Sequence, residues 1–287
     1  MLFFNPLLVR LMVLAGLLAT PLAVAAQTAP TAAATAAAGP TYADLASLAD
    51  ASELVVRAKI RRQSALKPDR APGLAAGFAR LYVEAQTVAL IAGRSSVGGT
   101  VAYLVDLPLD AKGKVPKLNK REFLLFARTV AGRIGEVQLV APGAQVAYTP
   151  EVEARLRPIL TELFSKDAPP RITGVSEALA VPGTLTGESE TQIFMATETR
   201  APVSITVVRR PGQRAQWGVS WGEIIDSAAR PPQPDTVRWY RLACALPAQL
   251  PSNANLARDP TERRLATEDY AFVRQALGPC TRRITQD

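Results

Sequence analysis

The sequence predicts a mainly β fold with a few helices (α+β): a barrel-like antiparallel sheet followed by a second antiparallel sheet domain with a C-terminal helix. Three observations predict it. Runs of alternating apolar and polar residues recur along the chain, segments rich in Gly and Pro separate them, and helical periodicity is confined to a few stretches. No internal repeat is visible.

The first 26 residues predict a signal peptide. Residues 11–25 are almost purely apolar behind Arg10, and residues 23–26 are small, as signal-peptidase cleavage requires. The alternative is an uncleaved membrane anchor, because residues 2–26 just suffice to cross a hydrocarbon core of about 30 Å. The predicted location is therefore periplasmic or secreted, with no transmembrane segment after signal removal.

The rest of the chain divides by composition. Residues 27–40 contain little but Ala, Thr, Pro and Gly, which predicts a flexible linker, with a poly-Ala helix as the alternative. Consecutive prolines near residue 169 then predict a boundary between a domain of residues 41–166 and another of residues 167–287. The first is basic, with 18 Lys and Arg against 12 Asp and Glu, whereas the second has 14 against 13.

Periodicity locates the individual elements. Helical spacing predicts helices over residues 41–50, 150–164 and 261–277, with Pro158 kinking the second or delaying its start. Alternating or uniformly apolar runs predict strands, and Pro211-Gly212 fits a type II turn that joins two of them in a hairpin. The predicted strands cover residues 54–61, 78–90, 101–107, 122–127, 135–140, 191–197, 203–209, 216–225 and 236–246.

The two cysteines, Cys244 and Cys280, both fall in the last quarter of the sequence. In an oxidising compartment they predict one disulfide bond, which would join the C-terminal helix to the strand that carries Cys244. A zinc site is disfavoured, because two cysteines without histidine supply only half a coordination shell. No metal and no cofactor are predicted.

The absence of histidine narrows the chemistry. Serine and cysteine proteases, lipases and zinc peptidases ordinarily need it as base or ligand. Neither a Walker A pattern nor G-x-G-x-x-G occurs, which disfavours nucleotide binding. A histidine-free hydrolase that uses a serine–lysine pair or Glu188 and Glu190 is the remaining catalytic alternative, and no catalytic residue is assigned.

Three groups of residues are candidates for binding. Glu188 and Glu190 flank a serine after a glycine-rich stretch, and solvated acids of a turn or strand entry are the alternative. Trp217 and Trp221 alternate on one predicted strand, where a core role is the alternative. The third group is a basic face on the first strand, for which the alternative is protection of an edge strand against aggregation: Arg57, Lys59 and Arg61.

The first half also resembles a known family. A helix followed by the strand Ala51-Ser-Glu-Leu-Val-Val-Arg-Ala-Lys-Ile60, and later Arg121-Glu-Phe-Leu-Leu-Phe-Ala127, is similar to secreted modules of the netrin and metalloproteinase-inhibitor type. The resemblance covers about 120 residues and implies an OB-like β-barrel. The N-terminal cysteines with which such inhibitors engage a metal are missing here, so inhibition is not implied.

These observations predict an exported, non-catalytic binding or envelope-associated protein. Its expected partner is an envelope protein or an anionic envelope polymer, because a basic, exported chain meets such surfaces, whereas nucleic acid is not expected there. A purely structural role in an envelope complex is a further alternative.

Overall fold

The computed structural model describes residues 39–93, 96–225 and 228–284. The predicted signal peptide and most of the predicted linker lie outside these residues. In the described part, no helix has the length and apolar character needed to cross a membrane.

Helix α1 (Tyr42–Ala51) confirms the first predicted helix and begins with a capping box. The Thr41 hydroxyl accepts a hydrogen bond from the Asp44 amide at 3.0 Å, and the Asp44 carboxylate accepts one from the Thr41 amide at 2.8 Å. The other oxygen of Asp44 accepts from the amides of Arg283 and Ile284, at 2.9 and 3.0 Å. The first helix is thereby tied to a segment about 240 positions later in the chain.

The first sheet is antiparallel and has six strands. Its order is β3-β2-β1-β4-β5, and β6 also pairs with β4. The central strand β1 pairs with β2 on one side and β4 on the other, and β4 is buried as predicted. The strands are β1 (Leu54–Ala65), β2 (Phe78–Gly93), β3 (Thr100–Pro108), β4 (Glu122–Thr129), β5 (Val137–Leu139) and β6 (Gln145–Ala147).

This sheet is not closed into a barrel, so the closed form of the predicted barrel is wrong. Strands β3 and β5 are its two ends. One parallel bridge between Ala102 and Glu136 links them, with the Ala102 amide donating to the Gly135 carbonyl at 2.8 Å, and no ladder continues from this bridge. Short β5 supplies too few residues to complete a closed sheet.

The second sheet is a four-stranded antiparallel meander in the order β10-β9-β8-β7. The predicted hairpin is confirmed, because β9 and β10 pair across a turn in which Gly212 has φ of 70° and the Gln213 amide bonds to the Arg210 carbonyl. The strand predicted over residues 216–225 ends earlier, at Ser220. The strands are β7 (Ile172–Pro182), β8 (Ser189–Thr197), β9 (Ser204–Arg209) and β10 (Gln216–Ser220).

Three further helices pack with α1 and the sheets. Helix α2 (Pro150–Leu163) starts at Pro150 as predicted and contains Pro158, so the alternative of a delayed start is wrong. The strand predicted over residues 236–246 is wrong: this segment forms helix α3 (Val237–Ala243), capped by the Thr236 hydroxyl. Helix α4 (Pro260–Leu277) confirms the predicted C-terminal helix.

Two hydrophobic cores lie on opposite faces of the first sheet. One is formed by that sheet and the loop before β4, and it includes Leu54, Leu118 and Leu125. The other combines Val55 and Phe126 with all four helices and the second sheet. Residues 39–287 form one compact unit, and the predicted boundary at residue 166 lies between α2 and β7, with residues on both sides of it in the shared core.

The predicted disulfide between Cys244 and Cys280 is present. Cys244 directly follows α3, and Cys280 lies just after α4. The bond therefore joins two helical ends rather than a helix and a strand. The Trp239 indole reinforces the same junction by donating to the Leu277 carbonyl at 2.8 Å.

Candidate functional site

Two adjoining cavities beside β10 bring together three of the predicted binding residues. The first has a volume of about 850 Å³ and is lined by Trp217 and Glu190. The second has a volume of about 670 Å³ and is lined by Trp221. Both share a wall formed by Ala229, Arg230 and Pro231, and we call the pair the tryptophan cleft.

A glycine in β10 allows this shared wall to lie close to the sheet. A Cβ atom at Gly218 would overlap the backbone carbonyl of Ala229, so no larger residue fits there without moving the wall. The neighbouring Val219 amide lies 3.4 Å from the Arg230 carbonyl. The cleft is therefore shaped by direct contact between its wall and the edge strand.

The first cavity combines aromatic rings with polar groups. Phe272 reaches it from α4, and a hydrogen-bonded row crosses the sheet face opposite to the Trp217 side chain: Thr206 donates to Gln192 at 3.0 Å, and Gln192 donates to Glu190 at 2.6 Å. Such a mixture of apolar surface and a few oriented polar groups is typical of ligand sites.

Arginines supply the positive charge of the cleft. Arg210 is exposed at the rim of the first cavity. One terminal nitrogen of Arg230 donates to the carbonyls of Ala228 and Ala229, at 2.7 and 3.1 Å, which orients the guanidinium. In the second cavity, the Arg238 guanidinium lies 5.8 Å from the centre of a Trp221 ring, within the range of a cation–π contact.

The two tryptophans differ in their surroundings. Trp217 is only 9% exposed and belongs to the shared core. Most of its side chain therefore has the core role that was the alternative to ligand binding. Trp221 follows the end of β10 and is half-buried at the edge of that core. Its position leaves part of the indole available to a ligand.

The predicted acidic pair is separated. Glu188 lies in the turn before β8, with its carboxylate against Gly183 and 3.4 Å from the Leu185 amide. Glu190 lies on β8 and faces the first cavity. Ser189 between them points the other way and is buried, and no hydrogen-bond partner of its hydroxyl occurs in the described part of the chain.

The predicted basic face on β1 lies outside the tryptophan cleft. Arg57 pairs with Glu122 at 2.7 Å and stacks 3.7 Å from the centre of the Tyr148 ring, so it holds β1, β4 and the start of α2 together. Lys59 is half-buried, and Arg61 bonds to Gln86. Because β1 pairs with both β2 and β4 at Arg57 and Lys59, the edge-strand explanation for these two charges is wrong.

Sequence reasoning missed four residues of the cleft: Arg210, Arg230, Arg238 and Phe272. They come from a hairpin turn, a proline-rich segment and two helices. The run Arg230-Pro231-Pro232 is the one local signal, since a basic residue before two prolines has a stiff backbone that can present it. The remaining lining is set by packing between distant segments.

Within residues 39–93, 96–225 and 228–284, no cluster of three or more His, Cys, Asp and Glu side chains has a geometry that would hold a metal ion. The residues that line the cleft offer hydrogen-bonding groups, aromatic side chains and charged groups. No protein-family model matches the sequence, and no curated protein gives a significant match.

Proposed function

We propose that the protein is an exported, non-catalytic binding protein that holds an anionic envelope polymer in the tryptophan cleft. The observation that carries the proposal is the convergence of Trp217, Trp221 and three arginines on two cavities with a common wall. The disulfide bond is compatible with a non-cytoplasmic protein and supports the export part of the proposal.

The side chains of the cleft suit a polymer that carries both sugar rings and negative groups. Apolar sugar faces pack on indole rings, while their hydroxyl groups need oriented donors and acceptors such as the row from Thr206 to Glu190. Carboxylate or phosphate groups match the planar donors of Arg210 and Arg230. Two adjoining cavities fit two successive units of one chain.

The test measures binding of the purified mature protein to isolated peptidoglycan sacculi and to lipopolysaccharide, with neutral dextran as the reference polymer. We expect saturable binding to one anionic polymer that weakens as salt rises, because exposed charges are screened. Arg210→Gln should weaken it by about 10-fold to 100-fold, the cost of losing a charge-assisted hydrogen bond of about 1.5–3 kcal/mol.

Arg214→Gln is the matched control, because Arg214 is exposed in the same hairpin turn but does not line either cavity. Equal weakening by both substitutions would show a non-specific charge effect and contradict the site. Substrate turnover that falls by orders of magnitude in Glu190→Gln would contradict the non-catalytic part of the proposal.

A further inference from the structure

A second cavity system lies in the first sheet, remote in sequence from the tryptophan cleft. Strands β3 and β5 meet at the bridge between Ala102 and Glu136, and residues of both strands line a cavity of about 610 Å³. Its walls are formed by β3 from Ala102 to Asp106 and by residues 136–142. We call this space the β3–β5 seam.

Backbone groups of both strands point into the seam. Residues of an antiparallel ladder alternate between bonding their neighbour and pointing away from it. The Leu109 amide bonds to the Gly77 carbonyl across β2 and β3, so odd-numbered residues of β3 face β2, and Leu104 and Asp106 face the seam. The Val140 amide bonds to the Phe126 carbonyl of β4. By the same rule, the backbone groups of the preceding residue, Leu139 of β5, face the seam.

The charges that line the seam are already paired. Arg80 holds Asp106 through two bonds of 2.7 Å, and Arg133 pairs with Glu136 at 3.0 Å. An anionic polymer would have to displace these carboxylates, whereas an uncharged main chain would not. The charge pattern therefore complements a neutral backbone.

Exposed apolar side chains border the same space. Leu104 is 48% exposed and lies opposite Tyr82 of β2, which is also exposed. Ile134 is fully exposed in the turn before β5, next to lining residues Arg133 and Glu136. Apolar side chains beside an unpaired strand edge ordinarily favour aggregation, so their presence indicates a surface that a partner covers.

We propose that the β3–β5 seam binds an extended segment of a partner polypeptide, which adds a strand to the edge of β3. Main-chain hydrogen bonds to Leu104 and Asp106 supply the register. Alternate side chains of the segment contact Leu104 and Tyr82 on one face. The protein then binds a polypeptide and a polymer at separate sites.

The test starts from a library of random dodecapeptides displayed on phage and selected against the mature protein. We expect enrichment of peptides with alternating apolar residues and without charge at the alternate positions. A synthetic copy of the best peptide should lose binding by about tenfold or more when the amides of one edge are N-methylated, because the donors of that edge are removed. Methylation of the other edge is the control.

Two substitutions at one position separate the backbone from the side chain. Leu104→Pro removes an amide that faces the seam rather than β2. An edge strand tolerates proline at such a position, because no hydrogen bond within the sheet is lost. It should abolish peptide binding, whereas Leu104→Ala keeps the amide and should weaken binding only several-fold. Circular dichroism of both variants checks that the sheet is retained.

Amide hydrogen exchange of the unmodified protein gives a readout that does not depend on either variant. The peptide should slow exchange at Leu104 and Asp106 and leave the amides of β9 and β10 unchanged. Failure to enrich any peptide, protection elsewhere, or equal effects of the two methylated peptides would overturn the proposal. So would a dimer that Leu104→Pro dissociates, because a second copy would then be the occupant.

Discussion

In the six-stranded sheet, Arg57 and Arg80 are held by acidic neighbours, whereas Arg210 beside the four-stranded sheet is exposed at a cavity rim. Arg57 contacts Glu122, and Arg80 contacts Asp106, within the first sheet. The first half of the chain has the larger positive charge, and ion pairs with acidic neighbours hold some of its arginines. The comparison teaches that the charge available to a partner depends on ion pairing in three dimensions. It cannot be read from the net charge of one half of the sequence.

The two sheets also differ in how they are buried. The first sheet has a core of its own and a second face in the shared core, whereas the second sheet depends on the shared core and the helices. Loss of packing on the shared face should therefore affect both sheets together. Adjacent residues of β4 point to opposite faces and allow this difference to be tested.

The largest expected effect comes from substitutions in β4. Phe126→Ala should lower the free energy of unfolding by about 3–5 kcal/mol and Leu125→Ala by about 2–5 kcal/mol, because both side chains are fully buried. Phe126 lies in the shared core with Trp217 and Trp239. Urea unfolding followed by tryptophan fluorescence and by far-UV circular dichroism should give one coincident transition for Phe126→Ala. Two separate transitions would show that the sheets unfold independently.

Removal of the disulfide should be nearly as costly. Cys244→Ser with Cys280→Ser opens a loop of 36 positions and should lower the free energy of unfolding by about 4 kcal/mol, on the chain-entropy estimate. Urea titration of the double variant and of the reduced parent protein measures the effect. A loss confined to the reduced parent would point to the reductant rather than to the missing bond.

Opposite outcomes at two arginines would sharpen the comparison of charges. Arg57→Gln should lower the free energy of unfolding by about 1 kcal/mol, because its ion pair and ring contact are partly exposed, and should leave polymer binding unchanged. Arg210→Gln should leave the free energy of unfolding unchanged and should weaken polymer binding. Thermal unfolding and polymer binding of the two variants measure both quantities. If Arg57→Gln weakened polymer binding, the basic face of β1 would be part of the polymer-binding site.

The smallest effect is expected at high pH. Burial raises the pKa of Tyr270 to about 12, and it also raises the pKa values of Tyr42 and Tyr103. The folded protein then keeps protons that the unfolded chain releases, so the contribution of these tyrosines to stability is fully present below pH of about 10 and is lost as the pH rises towards the folded-state values.

Urea titrations between pH of about 8 and 11.5 measure this decline. Tyr103→Phe should make it shallower, while Tyr82→Phe removes an exposed tyrosine as the control. Identical pH profiles for Tyr103→Phe and the parent protein would contradict the assignment to buried phenols.

Regular patterns made much of the fold predictable. The alternation in β1, the apolar run of β4 and the caps of α1 and α4 are local signals, and the structure follows them. Helix α3 was missed because Val237, Trp239 and Tyr240 favour strands by propensity, and their burial against other helices decides the outcome. Strand β7 was not predicted, because register shifts interrupt its alternation of buried and exposed residues.

The candidate site was less predictable. Trp217, Trp221 and Glu190 could be singled out as residue types, but Phe272 and Arg230 reach the cavity of Trp217 and Glu190 from segments outside the second sheet. Arg57 shows the converse, because its acidic and aromatic neighbours are invisible to a strand pattern. Local sequence therefore indicates which residues can bind, and packing decides which of them meet.

The contact between Asp44 and the backbone of Arg283 and Ile284 bears on the order in which the body is completed. A growing chain presents the helix that carries this carboxylate long before those two amides exist. Until they emerge, the carboxylate cannot be enclosed without leaving one oxygen unpaired in an apolar setting. Helix α1 therefore takes up its final surroundings only after nearly all of the body has been synthesised.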